Sequence, residues 1–237
     1  GTGFLFPAIY ESGEYGWSNQ NGESIHAEKT TSFDIGYETY INSLDLNFNI
    51  TYFDILVEDP IMGSNTTNFQ DNVPSAENKS KGIELSTNWT DKKKLNIGFN
   101  YTLTKSYSGM DCDKPEKDKW GYTSCMDTGH GWLESAMVRV PIHALSSKIS
   151  YQFKKDWDTS LLMTYKGRTR DYGGTDYSFK DQILDEYFLV DLKSSYKLYD
   201  NYNLDFSVKN LFDKNYENSL DYSGTPRTMN IGLNIVY

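Results

Sequence analysis

The residues best suited to chemistry cluster in one long polar segment, Ser108–Ala144. It holds Trp120, Tyr122 and Trp132, the cysteines Cys112 and Cys125, and the carboxylates Asp111, Asp113, Glu116 and Asp118. Aromatic rings on a long exposed segment make stacking surfaces for a ring-bearing ligand. The competing reading is a segment folded on itself around a disulfide. A bare cysteine pair in a turn-rich stretch fits a disulfide in an oxidising compartment, and two free thiols are the alternative. Asp111 and Asp113 stand one residue apart, and oxygen-rich loops can hold Ca²⁺. The spacing lacks the glycine and terminal glutamate of an EF-hand loop, so a plain acidic loop is preferred. Further along, Arg168, Arg170 and Tyr172 sit where a strand meets the next long segment. Facing a mouth, they would bind an anionic group through paired hydrogen bonds. A solvated rim charge competes with that reading.

Other chemistries find no support. His26, His130 and His143 are scattered and form no metal-ligand spacing. No Ser/His/Asp grouping, nucleophile elbow or phosphate-binding glycine loop is present, so the sequence points away from an enzyme. A net charge of −10 argues against nucleic acid, which needs a basic stripe.

The elements that must position these residues are strands. Leu44, Leu46, Phe48, Ile50 and Tyr52 alternate with Asp45, Asn47, Asn49 and Thr51. Alternation of this kind marks a strand with two different faces. Leu95–Leu103, Leu204–Val208 and Met229–Tyr237 repeat it, and weaker versions run Phe33–Ile41, Ile83–Trp89, Leu145–Phe153, Leu161–Tyr165 and Phe188–Leu198. That makes about nine strands of roughly ten residues, the length a tilted strand needs to cross a bilayer. Tight turns at Asn42-Ser43, Asp91–Lys94, Lys154–Asp158 and Asp200–Asn203 alternate with long segments at Pro60–Lys79, Ser108–Ala144, Asp171–Glu186 and Glu217–Thr228. Short turns at one end and long loops at the other are the pattern of a transmembrane barrel.

Composition agrees. Hydrophobic residues make up only 38% of the 237, yet aromatics reach 15%, with 19 tyrosines. Amphipathic rings suit a membrane–water interface. No apolar run reaches the roughly 18 residues of a spanning helix. A soluble antiparallel sandwich also alternates, but loop asymmetry and aromatic excess favour an all-β transmembrane antiparallel barrel. Its apolar face meets lipid, and its Asp, Asn, Lys and Ser face lines the lumen. Lys92-Lys93-Lys94 and Lys154-Lys155 fall at tight turns, which puts a basic rim at the short-turn end. Simple turn solvation is the plainer account.

Several phrases resemble TonB-dependent receptors. They are Gly3-Phe4-Leu5-Phe6-Pro7-Ala8 with Ile9-Tyr10-Glu11, Ile25–Glu38, Asn72-Val73 with Lys79–Leu85, Arg139-Val140-Pro141-Ile142-His143, and Asn210–Glu217, which reads NLFDKNYE. The last is the most specific. Thr225-Pro226-Arg227 stands where the family has Pro-Gly-Arg, a departure from its pattern. The matches run in family order over nearly the whole chain, and their phrasing is nearest to the vitamin B12 (cobalamin) receptor group.

The resemblance implies an intact barrel of about 22 strands plugged by an N-terminal domain. Residues 1–237 would supply the C-terminal nine to ten strands of it. The plug would be absent from this chain, which opens on Gly1 with neither initiator Met nor signal peptide. The location implied is the bacterial outer membrane, with surrounding lipid, the TonB complex (through the missing region) and the barrel assembly machinery as partners. Leu233, Ile235 and Tyr237 would form the assembly signal on the last strand. Trp120, Tyr122 and Trp132 would stack on a corrin ring or aromatic chelate, and loop Ca²⁺ also occurs among the cobalamin receptors. The function implied is active uptake of a scarce bulky nutrient, with cobalamin favoured over a ferric siderophore or haem. The alternatives are a passive outer-membrane channel, an adhesin barrel, or a soluble β-sandwich binding module. No nucleic acid or further cofactor is expected.

Overall fold

A computed structural model describes residues 1–6, 27–63, 70–72, 76–111, 132–173 and 180–235. Strands dominate it. They are β1 (Thr2–Leu5), β2 (Glu28–Ile41), β3 (Leu46–Glu58), β4 (Ile61–Gly63), β5 (Gln70–Asn72), β6 (Ala76–Thr90), β7 (Leu95–Asp111) and β8 (Trp132–Ala136). The series continues with β9 (His143–Lys154), β10 (Trp157–Lys166), β11 (Thr169–Gly173), β12 (Lys180–Leu184) and β13 (Tyr187–Tyr199). It ends with β14 (Tyr202–Lys209), β15 (Glu217–Ser219), β16 (Tyr222–Ser223) and β17 (Thr228–Ile235). The main sheet runs β1-β2-β3-β6-β7-β9-β10-β13-β14-β17, with β8 also on β7. The described residues fall into two compact units, Gly1–Asp34 with Phe53–Lys81 and Lys105–Met137, and Ile35–Tyr52 with Gly82–Thr104 and Val138–Tyr237.

In the second unit the register sorts side chains by polarity. Ile97, Ile149, Leu161, Leu192, Val208 and Met229 form one continuous row across six strands. The neighbouring row reads Asn96, Ser150, Ser160, Lys193, Ser207 and Asn230. Directly opposed residues share a face, and successive residues take opposite faces. A slip of one residue would exchange the two rows.

The apolar face lies open. Met229, Ile231 and Leu233 are 62%, 76% and 54% exposed. Ile35, Tyr37, Ile50, Tyr52 and Ile83 share a shallow apolar patch. Among the described residues the buried apolar side chains are few: Leu184, Tyr187, Val190, Val208 and Pro60. A soluble sandwich would cover such a face with a second sheet, so that alternative fails here. The polar face carries a groove of about 660 Å³ lined by Asn47, Asn88, Asn96, Asn100, Ser146 and Lys148. Hydroxyls and amides bridge its strands, with Ser150 Oγ 2.9 Å from Ser160 Oγ.

Short turns join the strands at one end. Lys155-Asp156 link β9 to β10, and Asp200-Asn201 link β13 to β14. Asp45 and Lys92 hold positive φ, 49° and 57°, in two others. The Asp91 carboxylate accepts the N–H groups of Lys93, Lys94 and Leu95 at 2.8, 2.8 and 2.9 Å. Those bonds favour its charged form and hold its pKa below the ordinary carboxylate value.

The first unit carries the strand extensions. β1 pairs with β2 from Thr2↔Thr31 to Leu5↔Glu28. Lys29 Nζ meets Glu58 at 2.9 Å, and Ile61 N donates to Glu28 Oε1 at 2.6 Å. Ser80 and Ser106 share a hydroxyl bond, and Ser108 Oγ donates to Asn78.

The sequence places nine strands correctly but draws several too short. β6 starts at Ala76 rather than Ile83, and β7 runs on to Asp111. These extensions pair polar side chains such as Asn78 and Ser108, so no apolar alternation marks them. The long segments are not plain loops either. They contain the hairpins β4–β5, β11–β12 and β15–β16 and the added strand β8.

Candidate functional site

The long-segment end of the second unit is knitted together by side chains. Its centre is Asp171 on β11, which is 1% exposed. Asp171 Oδ1 and Oδ2 accept the Nε–H of Arg139 at 3.0 and 3.1 Å, and Oδ2 accepts Leu220 N–H at 2.8 Å. A buried carboxylate is tolerable when a cation and donors face it in this way. Arg139 itself holds a φ of 63°, and its N–H donates to Arg170 O at 2.8 Å. One residue pair thus ties the segment before β9 to the β11–β12 hairpin and to the β15–β16 turn.

Two further clusters of contacts, around His143 and around Tyr216, support it. Gly167 N donates to His143 O at 2.8 Å, and Tyr101 Oη lies 2.8 Å from His143 Nδ1. Tyr187 Oη donates to Asn218 Oδ1 at 2.8 Å while its ring packs on Tyr216 with centroids 4.6 Å apart. Gly224 N donates to Tyr216 O at 2.7 Å. A Cβ on Gly224 would fall inside the Tyr216 ring, so the close approach requires glycine.

The NLFD phrase forms a second node. Asn210 is 3% exposed and holds a φ of 49°. Its Oδ1 accepts Lys214 N–H at 2.9 Å, and its Nδ2 donates to Lys214 O and Thr225 O at 2.9 and 3.0 Å. Its own N–H donates to Asp191 Oδ1 at 2.8 Å. Asp213 Oδ1 accepts Arg227 N–H at 2.8 Å. Asn210 and Asp213 therefore have a structural role, joining the end of β14 to the start of β17.

The candidate ligand residues divide. Arg168 is exposed, and its Nε lies 2.8 Å from Glu186 and 3.8 Å from Asp185. Arg170 is half-buried, one residue before Asp171. Tyr172 pairs through its backbone with Asp181, and Trp132 with Asp111. Trp120, Tyr122, Cys112, Cys125, Asp113 and Tyr237 lie outside the described residues. Leu233 and Ile235 stand exposed on the apolar face of β17, 54% and 42%. The sequence reading missed Asp171, Asn218, Tyr187 and Tyr216. Arg139 opens the Arg139-Val140-Pro141-Ile142-His143 phrase, but nothing local signals a partner 32 residues away.

Open apolar rows, a grooved polar face, and short turns alternating with long segments define a membrane β-barrel protein. Residues 1–211 match the family model described as TonB dependent receptor-like, beta-barrel. The chain belongs to that family, and its place is the outer membrane. It is 24% identical over 234 residues to the vitamin B12 transporter BtuB of Vibrio cholerae serotype O1, covering 98% of this chain and 33% of the relative. In fold it is similar to the ferric-catecholate import receptor Fiu of E. coli K12, with a TM-score of 0.70, 18% identity, and 99% and 32% coverage. It is also similar to the ferripyoverdine receptor of Pseudomonas aeruginosa, with a TM-score of 0.70, 17% identity, and 99% and 30% coverage. The chain spans about a third of the length of these relatives.

Proposed function

We propose that the chain is the C-terminal barrel portion of a receptor for TonB-coupled uptake of a scarce bulky nutrient, with cobalamin favoured over a ferric siderophore or haem. The observation that carries this reading is the two-faced sheet whose long segments are locked at the rim by Arg139 and Asp171. A locked rim holds loops ready to capture a ligand, and loops on a rigid scaffold are where binding concentrates. Trp120, Tyr122, Trp132, Arg168, Arg170 and Tyr172 would supply stacking and anion contacts. Arg168 would exchange Glu186 for an acidic group on the ligand. An upstream plug would respond to ligand and expose a TonB-contacting segment. The cobalamin preference rests on motif phrasing and on the likeness to a vitamin B12 transporter along 98% of the chain.

The test is titration of cyanocobalamin into the detergent-purified full-length receptor, with and without Ca²⁺, beside a ferric catecholate. Saturable cobalamin binding supports the reading, and strengthening by Ca²⁺ points to the Asp111/Asp113 loop. Binding of the catecholate alone transfers the function to siderophore uptake.

A further inference from the structure

The short-turn end of the second unit gathers charge that nutrient uptake does not use. The Asp91–Lys94 turn and the Lys155-Asp156 turn are neighbours, because Leu95 pairs with Tyr151 and Gln152 N donates to Lys94 O at 2.9 Å. Together they bring Lys92, Lys93, Lys94, Lys154 and Lys155 to one edge. Part of the acid there is already committed. Asp91 caps three backbone N–H groups, and Asp45 pairs with Lys92 while accepting the Tyr40 hydroxyl. Lys93, Lys94, Lys154 and Lys155 are exposed and make no ion pair among the described residues. Lys94 Nζ reaches only the Phe153 carbonyl, at 3.5 Å. Asp156 and Asp158 lie beside them in sequence, and among the described residues neither forms an ion pair with these four lysines.

The adjoining surface is aromatic and faces outward. Tyr151 and Phe153 meet edge to face with centroids 4.8 Å apart, and Phe153 lies 5.0 Å from Trp157. Phe153 is 47% exposed and Trp157 is 38% exposed. The Trp157 indole N–H is satisfied by Ser194 Oγ at 2.8 Å, so the ring is held against the sheet. An aromatic patch ending in a lysine edge matches an amphiphile with an anionic head.

We infer that this edge binds the headgroup of an anionic glycerophospholipid, its phosphate among Lys93, Lys94, Lys154 and Lys155 and its chains along Phe153 and Trp157. Short turns face the periplasm in such barrels, so the lipid belongs to the inner leaflet. A zwitterionic headgroup brings its own ammonium to four lysines and is disfavoured. An acidic periplasmic protein would use the lysines, but it would leave the lipid-facing rings without a role.

The test is native mass spectrometry of the full-length receptor in mild detergent, with dioleoylphosphatidylglycerol or dioleoylphosphatidylethanolamine added. Each lysine contributes about fivefold in affinity, so phosphatidylglycerol adducts should exceed phosphatidylethanolamine adducts by at least about tenfold. A variant with Lys93, Lys94, Lys154 and Lys155 all changed to Gln should fall to the phosphatidylethanolamine level. It should keep its heat-modifiable gel mobility, which reports a folded barrel. A Lys29→Gln control should retain the adducts. Equal adducts of the two lipids, a fourfold variant that keeps its phosphatidylglycerol, or a control that loses it equally would each overturn the assignment. Because no nutrient is present, the result is independent of which ligand the receptor carries.

Discussion

Asp171 takes the Nε–H of Arg139 between its two carboxylate oxygens, at 3.0 and 3.1 Å. The pair is asymmetric, since Asp171 is 1% exposed while the Arg139 side chain is 56% exposed. Removing the guanidinium strips a cation from a buried carboxylate. Removing the carboxylate charge frees a guanidinium that can hydrate. Arg139→Ala should therefore cost about 3 kcal/mol and Asp171→Asn about 1–2 kcal/mol, discounted for the exposure of the arginine. The double variant should be less damaged than the sum of the two. Thermal unfolding of the detergent-purified full-length protein checks the order, and equal losses would contradict it.

Asn210 combines a left-handed backbone with five hydrogen bonds, three of them through its side chain. Asn210→Ala loses the three side-chain bonds and meets the φ penalty, for a cost of about 2–4 kcal/mol. Asn210→Gly keeps the backbone geometry and should recover part of that cost. Asn210→Asp should be no better than alanine, because its carboxylate would face the carbonyls of Lys214 and Thr225. Denaturant midpoints for the three variants rank the backbone and side-chain contributions.

Asp91 supplies a pH dependence at the short-turn end. Its folded pKa is depressed below the usual 3.8, first by the Leu95 N–H and then by that of Lys93. A depressed carboxylate stabilises the fold above its unfolded pKa and loses that contribution as pH falls through the folded value. Asp45 acts in the same direction, held low first by Lys92 and then by Tyr40. The unfolding midpoint should therefore drop as pH is lowered below about 4. Asp91→Asn should show a smaller acid drop than the native protein, and an unchanged drop would count against the turn.

The two faces of β17 should answer differently to charge. Ile231 is 76% exposed on the apolar face, whereas Asn230 lies in the polar row with Ser207. Ile231→Arg places a cation in lipid and should cost about 2–4 kcal/mol at mid-bilayer depth. Asn230→Arg points into the polar face and should be tolerated. The yield of heat-modifiable barrel in outer-membrane fractions distinguishes them, and equal yields would reverse the assignment of faces.

By itself the sequence determined the strands and their faces. Alternation such as Leu204, Phe206 and Val208 is a local, two-residue signal imposed wherever one face meets lipid and the other water. The register bears it out, setting those three opposite Leu233, Ile231 and Met229. The NLFD phrase was visible in the sequence, and most partners of its Asn210 and Asp213 lie within a few residues or across one hairpin. What only the tertiary structure decided is non-local and polar. The strand extensions from Ala76 and to Asp111 carry no alternation, because polar side chains bond to one another there. Arg139 finds Asp171 32 residues away and Asp171 finds Leu220 a further 49 on, through packing of three long segments. The lysine edge is of the same kind. Each run is visible in the chain, but only the pairing of β7 with β9 sets the two side by side above Phe153 and Trp157.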